Sequence, residues 1–288
     1  MSTLEYYGFI TLGVAIGEWG VSCLSLPPIW SQSSWYLGFV LATLSYFAFF
    51  PETVFLAKLN LSASWGIVAP ILTLMGVLKT GQQRETAITT SLIAVFALQV
   101  FTFGHPTMRL VGLAGAAAVM LANSGLRQER PMAFLQIGFT LALLVALCWD
   151  QFIIEGWLLI ATLLVGGLWG LYRLLQRFDL PFSRIYSQSA DDWAILLCGV
   201  SLLALTGNIA VKYALSLSSH SAGLVAVLVL GGAILFRFWG MFRVRAASPK
   251  ENRVASPGQN RAILALSWTG ELALAYGIFL TDGSRLDG

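Results

Sequence analysis

Along this chain, long apolar runs alternate with short polar breaks. A helix needs about 20 apolar residues to cross a bilayer, with roughly 17 to 25 tolerated. Runs that meet or approach this requirement cover 6–26, 35–50, 63–78, 86–104, 110–126, 131–149, 153–172, 193–215, 221–240 and 262–280. The pattern predicts an all-α, polytopic membrane bundle of about ten transmembrane helices. The breakers fit this division. Pro27-Pro28 closes the first run, Pro51 the second and His105-Pro106 the fourth, while Pro131 opens the sixth, where a missing N–H costs nothing. Pro70 lies inside the third run and predicts a kink, which neighbouring membrane helices tolerate.

Composition supports the same class. Of 288 residues, 57% are apolar and 11% charged, against roughly 25% charged in a soluble domain. A water-soluble fold would have to hide nearly the whole chain, which surface-to-volume scaling forbids. No cleavable signal is expected, because MSTLEYYG holds an acid and no Lys or Arg. Cys23, Cys148 and Cys198 stand apart in apolar runs and read as small buried residues, without disulfide or metal spacing.

The net charge of +3 matters less than where the cations lie. Thirteen of the 17 Lys and Arg residues follow odd-numbered runs, from Lys79 and Arg84 through Arg127, Arg173 and Arg177 to Arg261. The other side holds Lys58, Arg109, Lys212 and Arg285. By the positive-inside rule, both termini are expected outside the cytoplasm of a cell or inner membrane. Two cytoplasmic connections are long. Residues 173–192 interleave apolar residues with three arginines, as an interfacial segment does or as a snorkelling helix end followed by a loop does. Residues 241–261 read as a flexible basic loop attracted to anionic lipid. One transmembrane domain over 1–288 is expected, with room for five-helix halves at 1–126 and 131–288 that would enter the membrane from opposite sides.

Two carboxylates stand near the middle of apolar runs, Glu18 in the first and Glu271 in the last. Helical spacing from Glu18 reaches Thr11, Ala15, Ser22 and Ser25, a small and polar stripe expected to face inward. The face around Glu271 is less polar, with Ser267 and Ala275 beside Trp268 and Leu274. An ionised acid at bilayer depth costs several kcal/mol even by the lower scales, so about such a site a proton or cation role is the natural first hypothesis. The structural alternative is a protonated acid bonded to a neighbouring helix. Asn208 and Lys212, one turn apart, are further candidates for substrate or proton binding, although such a lysine also snorkels readily to the surface.

Gln99 and Gln136 read as inter-helix glue. Asp150 and Glu155 read as a solvated acidic turn. His105 and His220 stand at run ends, which argues against axial haem ligation. Small residues at 112–118, at Gly166, Gly167 and Gly170, and at Gly231-Gly232 permit close helix approach.

No Walker A loop, HExxH, GxSxG or twin-cysteine zinc spacing occurs, and no run carries regularly spaced arginines. The sequence thus points away from an ATPase, the usual hydrolases and a voltage sensor, and implies no cofactor and no nucleic-acid partner. Three classes remain: a small-molecule or proton-coupled transporter, an intramembrane enzyme on a lipid-linked substrate, and a non-catalytic structural or assembly subunit of a membrane complex. The expected partners are the lipid bilayer with a small-molecule or ion substrate in the first case. A homo-oligomer or membrane-complex partner is compatible with these readings.

Overall fold

Proline marks four helix boundaries. In the computed structural model, Pro28 and Pro51 bracket one helix, Pro106 occupies the first turn of a second, and Pro181 begins a third. The missing N–H is harmless in a first turn, where no intrahelical acceptor exists. The structure describes residues 3–24, 27–51, 53, 61–149, 154–178, 180–214, 230–232 and 234, with only the backbone for 61, 154, 155, 158, 206 and 208–214.

Among the described residues the fold is all-helical. The helices are α1 (Thr3–Ser22), α2 (Pro28–Phe50), α3 (Val68–Leu78), α4 (Gly81–Thr102), α5 (Pro106–Arg127), α6 (Arg130–Cys148), α7 (Ile154–Leu175) and α8 (Pro181–Ala214). Five segments are long and apolar enough to cross a membrane: Pro28–Phe50, Gly81–Thr102, Pro106–Arg127, Arg130–Cys148 and Pro181–Leu205. They are compatible with a membrane protein. α1 is not among the five, since it carries Glu5 and Glu18 in 20 residues. The expected ninth and tenth runs and the 241–261 loop lie almost wholly outside the described residues.

The chain divides into two compact units, Met1–Cys148 and Trp149–Gly288. In the first, consecutive helices pair as the hairpins α1–α2, α3–α4 and α5–α6, and α4 also packs on α5. Residues 127–130, where two five-helix halves would meet, form the α5–α6 turn inside this unit. Gln128 enters the left-handed region at φ 39° there, and its N–H closes α5 on the Ser124 carbonyl. In the second unit α7 packs along α8.

Large apolar side chains cover the outward faces, while the inward faces combine small residues with a few large ones such as Trp35, Phe49 and Phe101. α2 exposes Leu37, Val40, Leu44 and Phe47 while burying Ser34, Gly38, Ala42 and Ser45. α4 exposes Ile93, Phe96 and Val100 and buries Ala87, Ser91 and Ala94. Water would penalise such an arrangement, whereas lipid tolerates large apolar side chains and small residues let helices approach closely. At one end of the first unit, aromatics fill the centre. Tyr46 stacks on Phe101 at 4.4 Å, and Trp65 meets both rings.

Three expectations need correction. Pro70 kinks no helix, because a 3-10 turn at Leu61–Ile67 precedes α3 and leaves Pro70 in the first turn of α3. The α7–α8 connection is shorter than 173–192: residues 173–175 finish α7, and α8 is already helical from Pro181. Finally, burial does not extend to every cysteine. Cys198 is buried, Cys148 is half-buried and Cys23 is exposed, because Cys23 lies in the turn just past the last residue of α1.

Candidate functional site

Of the candidate acids, Glu18 is the one the structure describes in full. The buried face of α1 is Glu5, Gly8, Leu12, Ala15, Trp19 and Ser22, a three-four spacing turned toward α2. Glu18 stands beside this face and is half-buried. The expected inward stripe is thus partly observed. Ala15 and Ser22 are buried, Thr11 is half-buried and donates its hydroxyl back to the Tyr7 carbonyl, and Ser25 lies outside the described residues. Thr11 stands at the rim because the face is centred on Trp19 and Leu12, whose bulk fills the seam with α2.

Among the described residues the most enclosed acid is Glu5, with no exposed surface. It stands in the first turn of α1, where the helix dipole favours a negative charge. In the sequence it stands out only as the acid of MSTLEYYG, just ahead of the first apolar run. Its three-residue offset from Gly8 was the signal that puts it on the buried face.

Glu5 and Glu18 lie at different levels of one seam. Near Glu5, Gly8 meets Phe49 and Ala48 of α2. One turn past Glu18, Lys79 donates its ammonium to the Ser22 carbonyl, which also accepts from Ser31 Oγ at 2.7 Å. The same ammonium lies 5.7 Å from the centre of the Trp35 ring. A cation at the C-terminal end of α1 satisfies an orphan carbonyl and complements the helix dipole. Arg84 plays a similar part for α5, donating from Nη2 to the Leu126 carbonyl at 2.7 Å. Arg127 pairs with Glu85 at 3.3 Å and Glu129 at 2.9 Å.

Two further polar links join α4 and α5 deeper in the bundle than these arginines. Gln99 Nε2 donates to the Gly112 carbonyl at 3.2 Å, which is the fastening role its sequence position suggested. Asn123 Nδ2 donates to Ser91 Oγ at 2.6 Å, with both residues fully buried. Asn123 was not singled out from the sequence, although an amide inside the 110–126 run needs a partner just as Gln99 does. Gln136 bonds within its own helix, to Thr140 Oγ1 at 3.1 Å.

In the second unit, Trp169 of α7 donates Nε1–H to Asp191 Oδ1 of α8 at 3.1 Å, and Ser183 Oγ donates to the Leu175 carbonyl at 2.6 Å. Asp191 was read as part of a connection and so was not singled out. Asn208 and Lys212 belong to the helical backbone of α8, but their side chains lie outside the described residues, as does Glu271. The structure therefore describes no meeting of Glu18 with the other candidates. Comparison with known proteins finds no matching family model, no matching curated protein and no matching solved structure.

Proposed function

We propose that the protein is a multi-pass membrane carrier that moves a small molecule in exchange for, or together with, protons. The observation that supports this reading best is the pair of acids on α1, Glu5 fully enclosed and Glu18 at the rim of the same face. Acids at bilayer depth are disfavoured by about 2.5–3.5 kcal/mol on insertion scales, so a position without a role is better filled by Gln or Leu. In this reading Glu18 and Glu271 exchange protons, while Asn208 and Lys212 contact the substrate or its proton. Both termini face away from the cytoplasm, and the bilayer is the solvent of the outward faces.

The test is Glu18→Gln in reconstituted vesicles. The substitution keeps shape and hydrogen bonding but removes titration. The variant is expected to insert and melt like the parent while losing pH-gradient-driven flux. Full activity with an unchanged pH profile would sink the carrier reading as stated.

A specific observation favours a second reading, a non-catalytic structural or assembly subunit. Much of the polar chemistry between helices of the first unit serves fastening: Lys79 on Ser22, Arg84 on Leu126, Gln99 on Gly112 and Asn123 on Ser91. Purification in mild detergent separates the two. A partner protein at fixed stoichiometry supports the subunit, and a lone chain or homo-oligomer supports the carrier.

A further inference from the structure

The α7–α8 hairpin carries its own depth gauge. Between Glu155 and Arg173, α7 holds no charged residue, and this run from Gly156 to Tyr172 is about 25 Å long. It is the part of α7 that suits a hydrocarbon core about 30 Å thick. The two hairpin hydrogen bonds set the register of α8 against it. Leu175 is opposite Ser183, and Trp169 is opposite Asp191. Continuing this antiparallel pairing sets Tyr172 near Ser187 and Gly156 near Leu203.

Burial along α8 agrees with that register. Ser183, Ser187, Ala190, Ala194, Cys198, Ser201 and Leu205 are all buried, a small-residue seam that lets α7 approach over its full length. The segment of α8 at membrane depth therefore runs from about Ser187 to Leu203, rather than over 193–215. α8 has 34 residues and is about 51 Å long, so its later turns, with Asn208 and Lys212, extend past the apolar part of α7.

This register brings Asp191 about one turn inside the hydrocarbon boundary, among residues first read as a cytoplasmic connection. We propose that Asp191, held by the indole N–H of Trp169, is a membrane-embedded carboxylate that exchanges protons in the second unit. Trp169 is almost fully buried and fixes the carboxylate against α7. Among the described residues, the other titratable or charged groups nearby are Tyr172 and Arg173 toward the end of α7, and Arg184, Tyr186, Asp192 and Cys198 on α8. The arginines stand at the headgroup level, so Asp191 lies between them and the bilayer centre. This inference rests on the proton-coupled carrier reading.

Two measurements on the full-length protein test it. The first is the depth of spin labels at Leu196 and Leu203, both on the exposed face of α8, read by oxygen against an aqueous quencher. The proposed register puts Leu196 deeper. A span over 193–215 would put Leu203 deeper, and that result overturns the inference whatever the protein carries. The second measurement is dissipation of a pH gradient in vesicles with an entrapped pH-sensitive dye. Asp191→Asn is expected to lower this flux about tenfold or more, whereas Asp192→Asn stays within about twofold. Trp169→Phe keeps the carboxylate, withdraws the indole donor and shifts the pH profile, which covers the case in which Asp191→Asn fails to fold. Parental flux that survives Asp191→Asn, or an unchanged profile in Trp169→Phe, overturns this inference alone. No flux from the parental protein overturns the carrier reading and this inference together.

Discussion

Replacing Gly38 with alanine probes the seam between α1 and α2. A Cβ built at Gly38 would lie 2.4 Å from Trp19 Nε1 and 2.5 Å from Cδ1, whereas ordinary contact begins near 3.4 Å. The helices would have to separate by about 1 Å, or the indole would have to leave its place. The indole has little freedom to move, because Trp19 is fully buried and packs edge-on against Phe39 at 5.4 Å between centroids. Overpacking of this kind costs about 1–3 kcal/mol, and the hardness of the contact points to the upper end. Alanine returns up to about 1 kcal/mol over glycine in helix propensity, leaving a net loss of about 2 kcal/mol. Gly13→Ala is the matched control, because nothing lies within 4 Å of a Cβ there. Unfolding in mixed micelles, followed by tryptophan fluorescence, should show Gly38→Ala unfolding at lower denaturant and Gly13→Ala unchanged or more stable. Adding Trp19→Leu to Gly38→Ala should recover part of the loss. Equal stability of the two alanine variants would refute the packing argument.

Other predictions follow from named contacts. A double-mutant cycle of Ser91→Ala and Asn123→Ala should give a coupling of about 0.6 kcal/mol or more, the average for hydrogen bonds between membrane helices, with about 1.7 kcal/mol as the ceiling; a coupling of zero in unfolding measurements counts against the buried link. Lys79→Met should cost about 1 kcal/mol by removing the cation from the Ser22 carbonyl and from Trp35, and Lys79→Arg should cost less; equal loss in both variants would show that charge is not the source. For topology, a cysteine at Ser256 should resist an impermeant thiol reagent in intact cells while one at Ser284 reacts, and the reverse pattern would invert the orientation.

The existence and order of the helices were legible in the chain because membrane depth imposes a minimum apolar length and proline marks the ends. Pro28 and Pro106 stand where first-turn geometry accepts them, and every described apolar run in the first unit lies within or across a helix. The fastening role of Gln99 was legible too, since an amide in an apolar run needs a partner. Periodicity, however, reports a face without saying which neighbour covers it. The position of Glu5 on the buried face, beside the less buried Glu18, depends on where α2 lies against α1. Asn123 gained its meaning from Ser91, which is 32 residues away in the chain. The start of α8 could not be read from hydropathy, because Arg184, Asp191 and Asp192 lower the apolar signal where the helix has already begun. Pairing with α7 decides that register: Trp169 and Leu175 fix which turns of α8 face them, and a local average of side-chain polarity contains no information about a partner helix.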